Sequence, residues 1–202
     1  MEQFSSNPLK IWPKGLSQEL NVSCFFVAHF HSASSVMLTI TGCSFYKVYL
    51  NGRFLSFGPA RAAHSQFRVD SLPLEALLEQ NVLVIEASGY ACRSFYALNQ
   101  PSFIQAEIVG KDLLMKTGQD FECYLSPWRY QRVSRFSYQR AFSESYHLDA
   151  PSDEFFMTGK ASWNQTPVEV ISYGETLARN VHFPALSAVP FVHKESGIVR
   201  VD

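Results

Sequence analysis

The sequence predicts an all-β protein, an antiparallel β-sandwich of the jelly-roll type with one short helix. Its 202 residues contain about nine short apolar or alternating runs at roughly regular spacing. An Asn-Gly pair joins two of these runs into a hairpin, which is an antiparallel connection. Helical patterns do not alternate with the strands, so a parallel sheet built of βαβ units is not expected.

The clearest element is a hairpin over residues 45–57. Asn51 and Gly52 stand between two apolar runs, and a type I′ turn favours these residue types because both central positions have φ > 0. Gly58 and Pro59 end the hairpin, since proline cannot continue a strand ladder. Val48 is expected opposite Leu55 and Tyr46 opposite Phe57, and these four side chains are expected to share the core face. Leu50 is expected opposite Arg53, next to the turn.

The other strands are predicted from short apolar or alternating runs between turn residues. Residues 1–20 contain two prolines and a glycine and are predicted to form an irregular lead-in. The sandwich is expected over residues 21–150, and residues 151–202 are expected to wrap the sandwich or to lead into a following domain. Beyond the hairpin, strands are predicted at residues 24–30, 36–41, 66–69, 82–87, 102–109, 137–147 and 168–171.

Two further elements are predicted from local spacing. Leu74, Leu77 and Leu78 follow the i, i+3, i+4 pattern of a short helical turn after a Ser-Leu-Pro sequence. Residues 112–115 and 121–125 flank a Thr-Gly pair, as the strands of a second hairpin would.

Alternation in two of the strands predicts which side chains are in the core. The residues expected to point inwards are Leu83, Ile85, Ala87, Ile104, Ala106 and Ile108. The residues expected to point outwards are Val84, Glu86, Gln105 and Glu107.

Composition and charge argue against several classes of partner. Lys and Arg number 17 and Asp and Glu 18, so the net charge is −1 and neither nucleic acid nor a membrane surface is an expected partner. No apolar run has the length of a transmembrane helix. The first residues lack the apolar core of a signal peptide, so a cytoplasmic location is expected if this N-terminus is native.

Metal and cofactor chemistry has no local signature in the chain. His29 and His31 could share one strand face, but no third ligand is evident, so no metal site is predicted. P-loop, GxGxxG and GxSxG sequences are absent, and no cofactor is predicted. Four cysteines outside any CxxC pair are predicted to be mostly buried thiols: Cys24, Cys43, Cys92 and Cys123.

Glycoside hydrolysis needs two carboxyl groups that face each other across the scissile bond. Any chain with 18 acidic residues offers such pairs by chance, so none is predicted to be catalytic. The pairs considered are Asp120 with Glu122, Asp153 with Glu154, and Glu144 with Asp149.

Aromatic and polar residues are combined in two predicted loops, one with Arg93 and Tyr96 and one with Trp128 and Tyr130. Sugar rings pack their C–H faces on aromatic planes, and sandwich domains often carry binding residues on loops at strand ends. These four residues are therefore candidates for carbohydrate binding or for docking onto a neighbouring domain. The alternative is that the rings fill the core, because aromatic residues are often buried.

The sequence YKVYLNGRFLSFGPAR, residues 46–61, resembles the pattern YxLYVNGxxVGxGPAR of the N-terminal β-sandwich domain of bacterial α-L-rhamnosidases. Further segments are similar to that domain in the same chain order, over residues 22–191. They are VLVIE (82–86), FIQAEIVGKDLL (103–114), SYQRAFSESYHLD (137–149), the Trp-containing segment 161–168 and the segment 178–191. The resemblance implies a galactose-binding-like sandwich.

The resemblance also implies a function, that of a non-catalytic module of an α-L-rhamnosidase-like glycoside hydrolase. In that family, carboxylates hydrolyse the substrate in a separate (α/α)₆ barrel downstream, so no catalytic residue is carried over. The implied partners are a downstream catalytic domain of the same protein and rhamnosylated glycans. Within the shared motif of Asn51, Gly52, Gly58, Pro59 and Arg61, the arginine is expected to act structurally, as an ion pair or loop anchor.

Two alternatives remain beside this interpretation. The chain could be a free-standing carbohydrate-binding domain of the lectin-like kind, or a hydrolase in its own right. In that family a cluster of acidic residues precedes a Trp, whereas residues 159–162, GKAS, precede Trp163 here. The role of those acidic residues therefore has no counterpart in this chain.

Overall fold

Two β-sheets pack face to face in the computed structural model, which describes residues 4–95, 97–147, 152–184, 187, 189 and 190. The described residues contain a single helix, α1, over Ser152–Thr158. Their strands, β1 to β12, are Ile11–Pro13, Val22–His31, Met37–Cys43, Phe45–Leu50, Arg53–Gly58, Gln66–Pro73, Gln80–Gly89, Phe103–Gly110, Leu113–Lys116, Glu122–Leu125, Val168–Val170 and Glu175–Ala178.

The larger sheet has the order β11-β1-β8-β3-β6-β12, with β9 also paired to β8, and the smaller sheet has the order β10-β2-β7-β4-β5. The strand pairs are antiparallel except for β12, which lies parallel to β6. The predicted antiparallel β-sandwich is therefore confirmed. Among the described residues, helical structure of the length and apolar character needed for a membrane span is not found.

The main core lies between the two sheets. It contains all six side chains that alternation predicted to point inwards, and Trp12 and Phe26 add large rings to it. Each fully buried aliphatic or aromatic side chain stabilises the fold by roughly 2 kcal/mol. All four cysteines are buried and free, as predicted.

A second, smaller core covers the outer face of the five-stranded sheet. Helix α1 lays Phe155 over Phe25 and Val84, and Trp128 closes the cluster from the side. Val84 does point out of the sandwich, but this layer buries it completely.

The hairpin turn has the predicted form, with φ of 51° at Asn51 and 78° at Gly52. Beyond the turn the predicted register is wrong, because a bulge between Val48 and Tyr49 leaves Leu55 without a partner. Val48 then lies opposite Ser56, and Tyr46 lies opposite Gly58. Phe57 consequently leaves the core face and packs on Phe45.

The helical turn predicted after Ser71 does not form. Residues 71–73 continue β6 and pair with β3, so their backbone groups are used by the ladder. The Leu74 amide donates to the Val36 carbonyl at 2.9 Å, and Ala76 has a φ of 54°, which no right-handed helix accepts. The short helix of the described chain is α1, further along.

The second predicted hairpin is also wrong, because its two strands belong to different sheets. Strand β9 folds back on β8, through a turn in which Asp112 has a φ of 56°. Strand β10 pairs with β2 in the smaller sheet instead. The buried Thr117 hydroxyl between them donates to the Leu9 carbonyl at 2.6 Å, which ties this connection to the N-terminal segment.

Three other expectations are corrected by the structure. Residues 11–13 of the lead-in form an ordered strand with a fully buried Trp12. Residues 137–147 form a loop rather than the predicted strand. Their pairing is limited to isolated bridges, such as the one between Phe142 and Arg135. Glu107 is buried rather than exposed, because Ser5 and Ser6 donate four hydrogen bonds to its carboxylate.

Replacing Gly52 by Val is predicted to lower the free energy of unfolding by more than about 1 kcal/mol, because a β-branched residue is strained at positive φ. A Cβ at this position would also lie 2.7 Å from Met157 Cγ. Gly15→Val has the same backbone strain, since Gly15 has a φ of 77°, but no atom lies within 4 Å of its Cβ position, so the difference between the two variants isolates the contact with Met157. Urea unfolding measures both, and a Gly52→Val variant as stable as the wild type would contradict the prediction.

Candidate functional site

A buried carboxylate organises one end of the sandwich. Asp70 lies on β6 with no exposed surface, and its side chain accepts hydrogen bonds from the Tyr46 hydroxyl and, at 2.7 Å, from Arg179 Nη1. A buried charge is tolerated only when it is paired and hydrogen-bonded, so these two partners make the position possible. Burial raises the pKa of Tyr46 well above its usual value, and the Asp70 charge adds to this effect.

Arg179 brings the C-terminal part of the chain to this carboxylate. It follows β12, and its remaining nitrogens donate to the carbonyls of Val181 at 2.7 Å and His182 at 3.3 Å. The guanidinium carbon lies 3.8 Å from the centre of the Phe183 ring. The segment after β12 is thus folded around the arginine that pairs with Asp70.

Gly58 allows the hairpin exit to pass this buried group. A Cβ at Gly58 would overlap Oδ2 of Asp70 and the Tyr46 hydroxyl. The Gly-Pro-Ala-Arg sequence therefore leaves the sandwich directly over the Asp70 carboxylate, and its glycine is required by close approach rather than by φ. The group formed by Tyr46, Gly58, Asp70 and Arg179 is called the Asp70 clamp below.

A cleft of about 640 Å³ opens beside the Asp70 clamp, where three strand connections meet at one end of the sandwich. The β3–β4, β5–β6 and β7–β8 connections each contribute a wall. The residues that line it are Gly42, Cys43, Ser44, Phe45, Phe57, Pro59, Ala60, Arg61, Ala62, Gln66, Phe67, Tyr90, Ser94, Phe95, Ala97, Leu98, Gln100 and Glu144.

The cleft combines aromatic walls with a few polar groups. Arg61 and Glu144 supply one charge of each sign, and the Arg61 carbonyl accepts a hydrogen bond from Arg68 Nε at 2.8 Å. Gln100 Oε1 accepts from the Ser65 amide at 3.1 Å, which fixes the orientation of this side chain. Apolar walls with a few convergent polar groups are typical of small-molecule sites.

Trp128 is packed and does not present a free ring. Only 7% of this residue is exposed, and its ring contacts Phe25, Phe155 and Trp163 at centroid distances of 5.0, 5.5 and 5.4 Å. Its neighbour Arg129 is also buried and donates to the Ser88 hydroxyl at 2.6 Å. This packing leaves little of the Trp128 ring for a sugar platform or a docking contact, and the exposed remainder lines a cleft of about 420 Å³ with Trp163 and Lys160.

The other predicted site residues lie on loops away from that cluster. Tyr130 is 43% exposed and stacks on His147 with ring centroids 3.8 Å apart. Arg93 is exposed, and its carbonyl accepts a hydrogen bond from Arg135 Nη2 at 3.0 Å. Tyr96 lies outside the described residues. The cleft residues Phe45, Phe57 and Gln100 were not among the predicted site residues, because strand topology alone brings them together.

Near the cleft, two loops form an exposed aromatic surface. Phe95, Phe136 and Tyr138 are 75%, 86% and 74% exposed. The Phe95 amide donates to the Gln139 carbonyl at 3.1 Å, and Arg135 donates to the carbonyls of both loops, at Arg93 and Tyr138. This set of three rings is called the aromatic loop surface below.

The turn end of the hairpin, opposite the cleft, is held by an amide pair. Asn51 Nδ2 donates to Asn81 Oδ1 at 3.0 Å, and Asn51 Oδ1 accepts from the Val82 amide at 2.8 Å. The two ends of the hairpin motif are thus anchored separately, Asn51 to the β7 strand and Gly58 to the Asp70 clamp.

His29 and His31 are exposed, and the described residues contain no group of three His, Cys, Asp or Glu suited to a metal ion.

The fold is similar to that of a domain in solved rhamnosidase structures. A GH78 family rhamnosidase of Bacillus sp. GL1 matches 89% of this chain with a TM-score of 0.78 and 18% identity. The α-L-rhamnosidases from Aspergillus terreus and Dictyoglumus thermophilum match 83% and 85% of the chain with TM-scores of 0.63 and 0.61 and identities of 15% and 12%. At these identities the likeness concerns the fold.

The chain spans only 20%, 21% and 22% of the lengths of these three enzymes. The match is therefore to one domain of each, not to the whole protein. No protein-family model matches the sequence, and the search of curated proteins finds no match.

Replacing Arg179 by Ala is predicted to lower the free energy of unfolding by about 3 kcal/mol, because it leaves the buried Asp70 carboxylate without its cation. Arg179→Lys keeps the charge and should lose less. Arg53→Ala, at an exposed position on β5, is the control and should change stability by less than about 0.5 kcal/mol. Equal unfolding midpoints for Arg179→Ala and Arg53→Ala would contradict a structural role of the ion pair.

Proposed function

We propose that the chain is a non-catalytic β-sandwich module of an α-L-rhamnosidase-like glycoside hydrolase, which supports the catalytic domain and contacts carbohydrate. The observation that carries this proposal is the aromatic loop surface, because three large rings on adjacent loops lie exposed to solvent. The fold likeness to one domain of rhamnosidases and the ordered sequence motifs agree with it.

The aromatic loop surface has the composition of a protein interface. Exposed apolar patches of this kind mark partner sites, and aromatic and Arg residues are enriched in them. The Arg135 guanidinium donates to the carbonyls of Arg93 and Tyr138, and the Phe95 amide donates to the Gln139 carbonyl, so hydrogen bonds between the two loops hold the surface in one arrangement. A preformed surface loses little conformational entropy on docking, so it suits a permanent contact with a catalytic domain.

Three of the acidic residues of the candidate pairs accept hydrogen bonds from near neighbours in the chain. Asp120 accepts a hydrogen bond from the Lys116 amide, and Glu122 accepts one from the Tyr124 hydroxyl at 2.6 Å. Glu144 accepts one from the Tyr146 hydroxyl at 3.0 Å. Asp149 lies outside the described residues. These contacts support a module without hydrolytic chemistry of its own.

The chain is predicted not to hydrolyse aryl α-L-rhamnosides, because hydrolysis needs two opposed carboxyl groups. A release assay with p-nitrophenyl α-L-rhamnoside at high protein concentration measures this. Turnover by the wild type that disappears in Glu144→Gln would contradict the proposal and favour a hydrolase in its own right.

Docking is tested by mixing this chain with a separately expressed catalytic domain encoded downstream in the same reading frame. Phe136→Ser and Tyr138→Ser are predicted to weaken binding at least about tenfold, as loss of an interface aromatic does. Leu78→Ser is the matched control, since Leu78 is 58% exposed in the β6–β7 connection at the opposite end of the sandwich. Titration calorimetry gives the affinities.

Two outcomes would contradict the docking proposal. One is a catalytic domain that binds the wild type and the Phe136→Ser variant equally. The other is a reading frame without a downstream hydrolase, which would favour the second candidate, a free-standing carbohydrate-binding domain of the lectin-like kind. The specific observation in favour of that candidate is the aromatic-walled cleft.

A further inference from the structure

We infer that the cleft at the loop end of the sandwich binds the ring of a neutral sugar, with Arg61, Gln100 and Glu144 as its hydrogen-bonding groups. This inference deepens the carbohydrate contact of the proposed function and rests on it, but it does not depend on docking. It also moves the contact from Trp128 and Tyr130 to a different set of residues.

The size and position of the cleft fit a small ligand. Its volume of about 640 Å³ falls within the range of about 300–1,000 Å³ that is usual for small-molecule sites. It lies where three strand connections meet, and binding residues are commonly carried on loops held by a rigid scaffold. A site of this size accepts one or two sugar rings rather than a polymer lying flat on the surface.

The charges of the cleft select a neutral, hydroxyl-rich ligand. Arg61 and Glu144 contribute one positive and one negative group, and Gln66 and Gln100 contribute amides. A phosphate or carboxylate ligand would meet the Glu144 charge, and a cationic ligand would meet Arg61. Hydroxyl groups both donate and accept, so a polyol can use the carboxylate, the guanidinium and the amides together.

Aromatic side chains supply the apolar walls that sugar C–H faces require. Phe45 and Phe57 lie with ring centroids 5.8 Å apart and planes 34° apart, so together they form a continuous wall. Phe67 is 3% exposed and packs on Phe103 at 4.6 Å, which gives the cleft a rigid floor. Phe95 stands 75% exposed at the rim, where a ligand could cover it.

The polar groups of the cleft are held in place before any ligand arrives. Gln100 Oε1 accepts a hydrogen bond from the Ser65 amide, and the same side chain is hydrogen-bonded to the Cys43 thiol, so its orientation in the cleft wall is fixed. Glu144 is oriented by the Tyr146 hydroxyl. The loop that carries Arg61 begins at Gly58, which the Asp70 clamp fixes. Such preorganisation lowers the entropic cost of binding.

The test uses the full chain and methyl glycosides of L-rhamnose, D-galactose, D-mannose and D-glucose at millimolar concentrations, with glucuronate and glucosamine as charged comparison ligands. Saturation-transfer NMR detects binding, and amide shifts in ¹⁵N-labelled protein locate it. At least one neutral sugar is expected to bind and to shift amides of the cleft loops. Glu144→Gln and Arg61→Ala should each weaken that binding about tenfold, as loss of a hydrogen bond to a charged group does.

Each variant has a matched control at the opposite end of the sandwich. Glu75→Gln makes the same change at an exposed glutamate beyond the far end of β6, and Arg53→Ala does so at an exposed arginine beside the hairpin turn. Both controls should bind like the wild type. Circular dichroism of all four variants establishes that they are folded.

Four results would overturn the inference. Three are the absence of binding by all four glycosides, binding that survives both Glu144→Gln and Arg61→Ala, and amide shifts confined to the surroundings of Trp128. The fourth is a preference for glucuronate or glucosamine over the neutral sugars, because the ligand would then be charged. None of these results bears on docking to a catalytic domain, which is measured separately through Phe136 and Tyr138.

Discussion

The buried carboxylate of Asp70 is the interaction on which this end of the molecule depends. It has no exposed surface, so the fold must provide partners, and it does so from β4 through Tyr46 and from the C-terminal segment through Arg179. The close fit leaves no room for a side chain at position 58. One charged group thereby joins both sheets, the exit of the hairpin and the strand β12.

Both proposed binding surfaces lie at the end of the sandwich that this carboxylate anchors. The loop after Gly58 forms one wall of the cleft, and the β7–β8 connection forms another and also carries Phe95 of the aromatic loop surface. The two surfaces are therefore neighbours at one end of the sandwich, while the hairpin turn lies at the other. A module that docks through the aromatic loop surface would bring the cleft close to its catalytic partner, where a bound sugar could belong to the same substrate.

Sequence reasoning succeeded where the decisive contacts are local. The turn at Asn51 and Gly52 and the inward faces of β7 and β8 follow from turn chemistry and from period-two alternation. It failed where distant residues decide. Asp70 and Arg179 are 109 positions apart, so nothing near Asp70 reveals its cation. The leucine spacing after Ser71 matches that of a helix. No local signal shows that the backbone of residues 71–73 pairs with β3 instead. Trp128 is buried by residues far from it in the sequence, Phe25, Phe155 and Trp163.

The central claim, that the Asp70 carboxylate holds the loop after β5 and the segment around β12, is tested most directly by hydrogen exchange. Asp70→Asn keeps the shape of the side chain and removes its charge. Mass spectrometry should show faster amide exchange in residues 58–67 and 175–183, with little change in residues 48–55 near the hairpin turn. Unchanged exchange in the first two segments, or an equal increase throughout the chain, would contradict the claim.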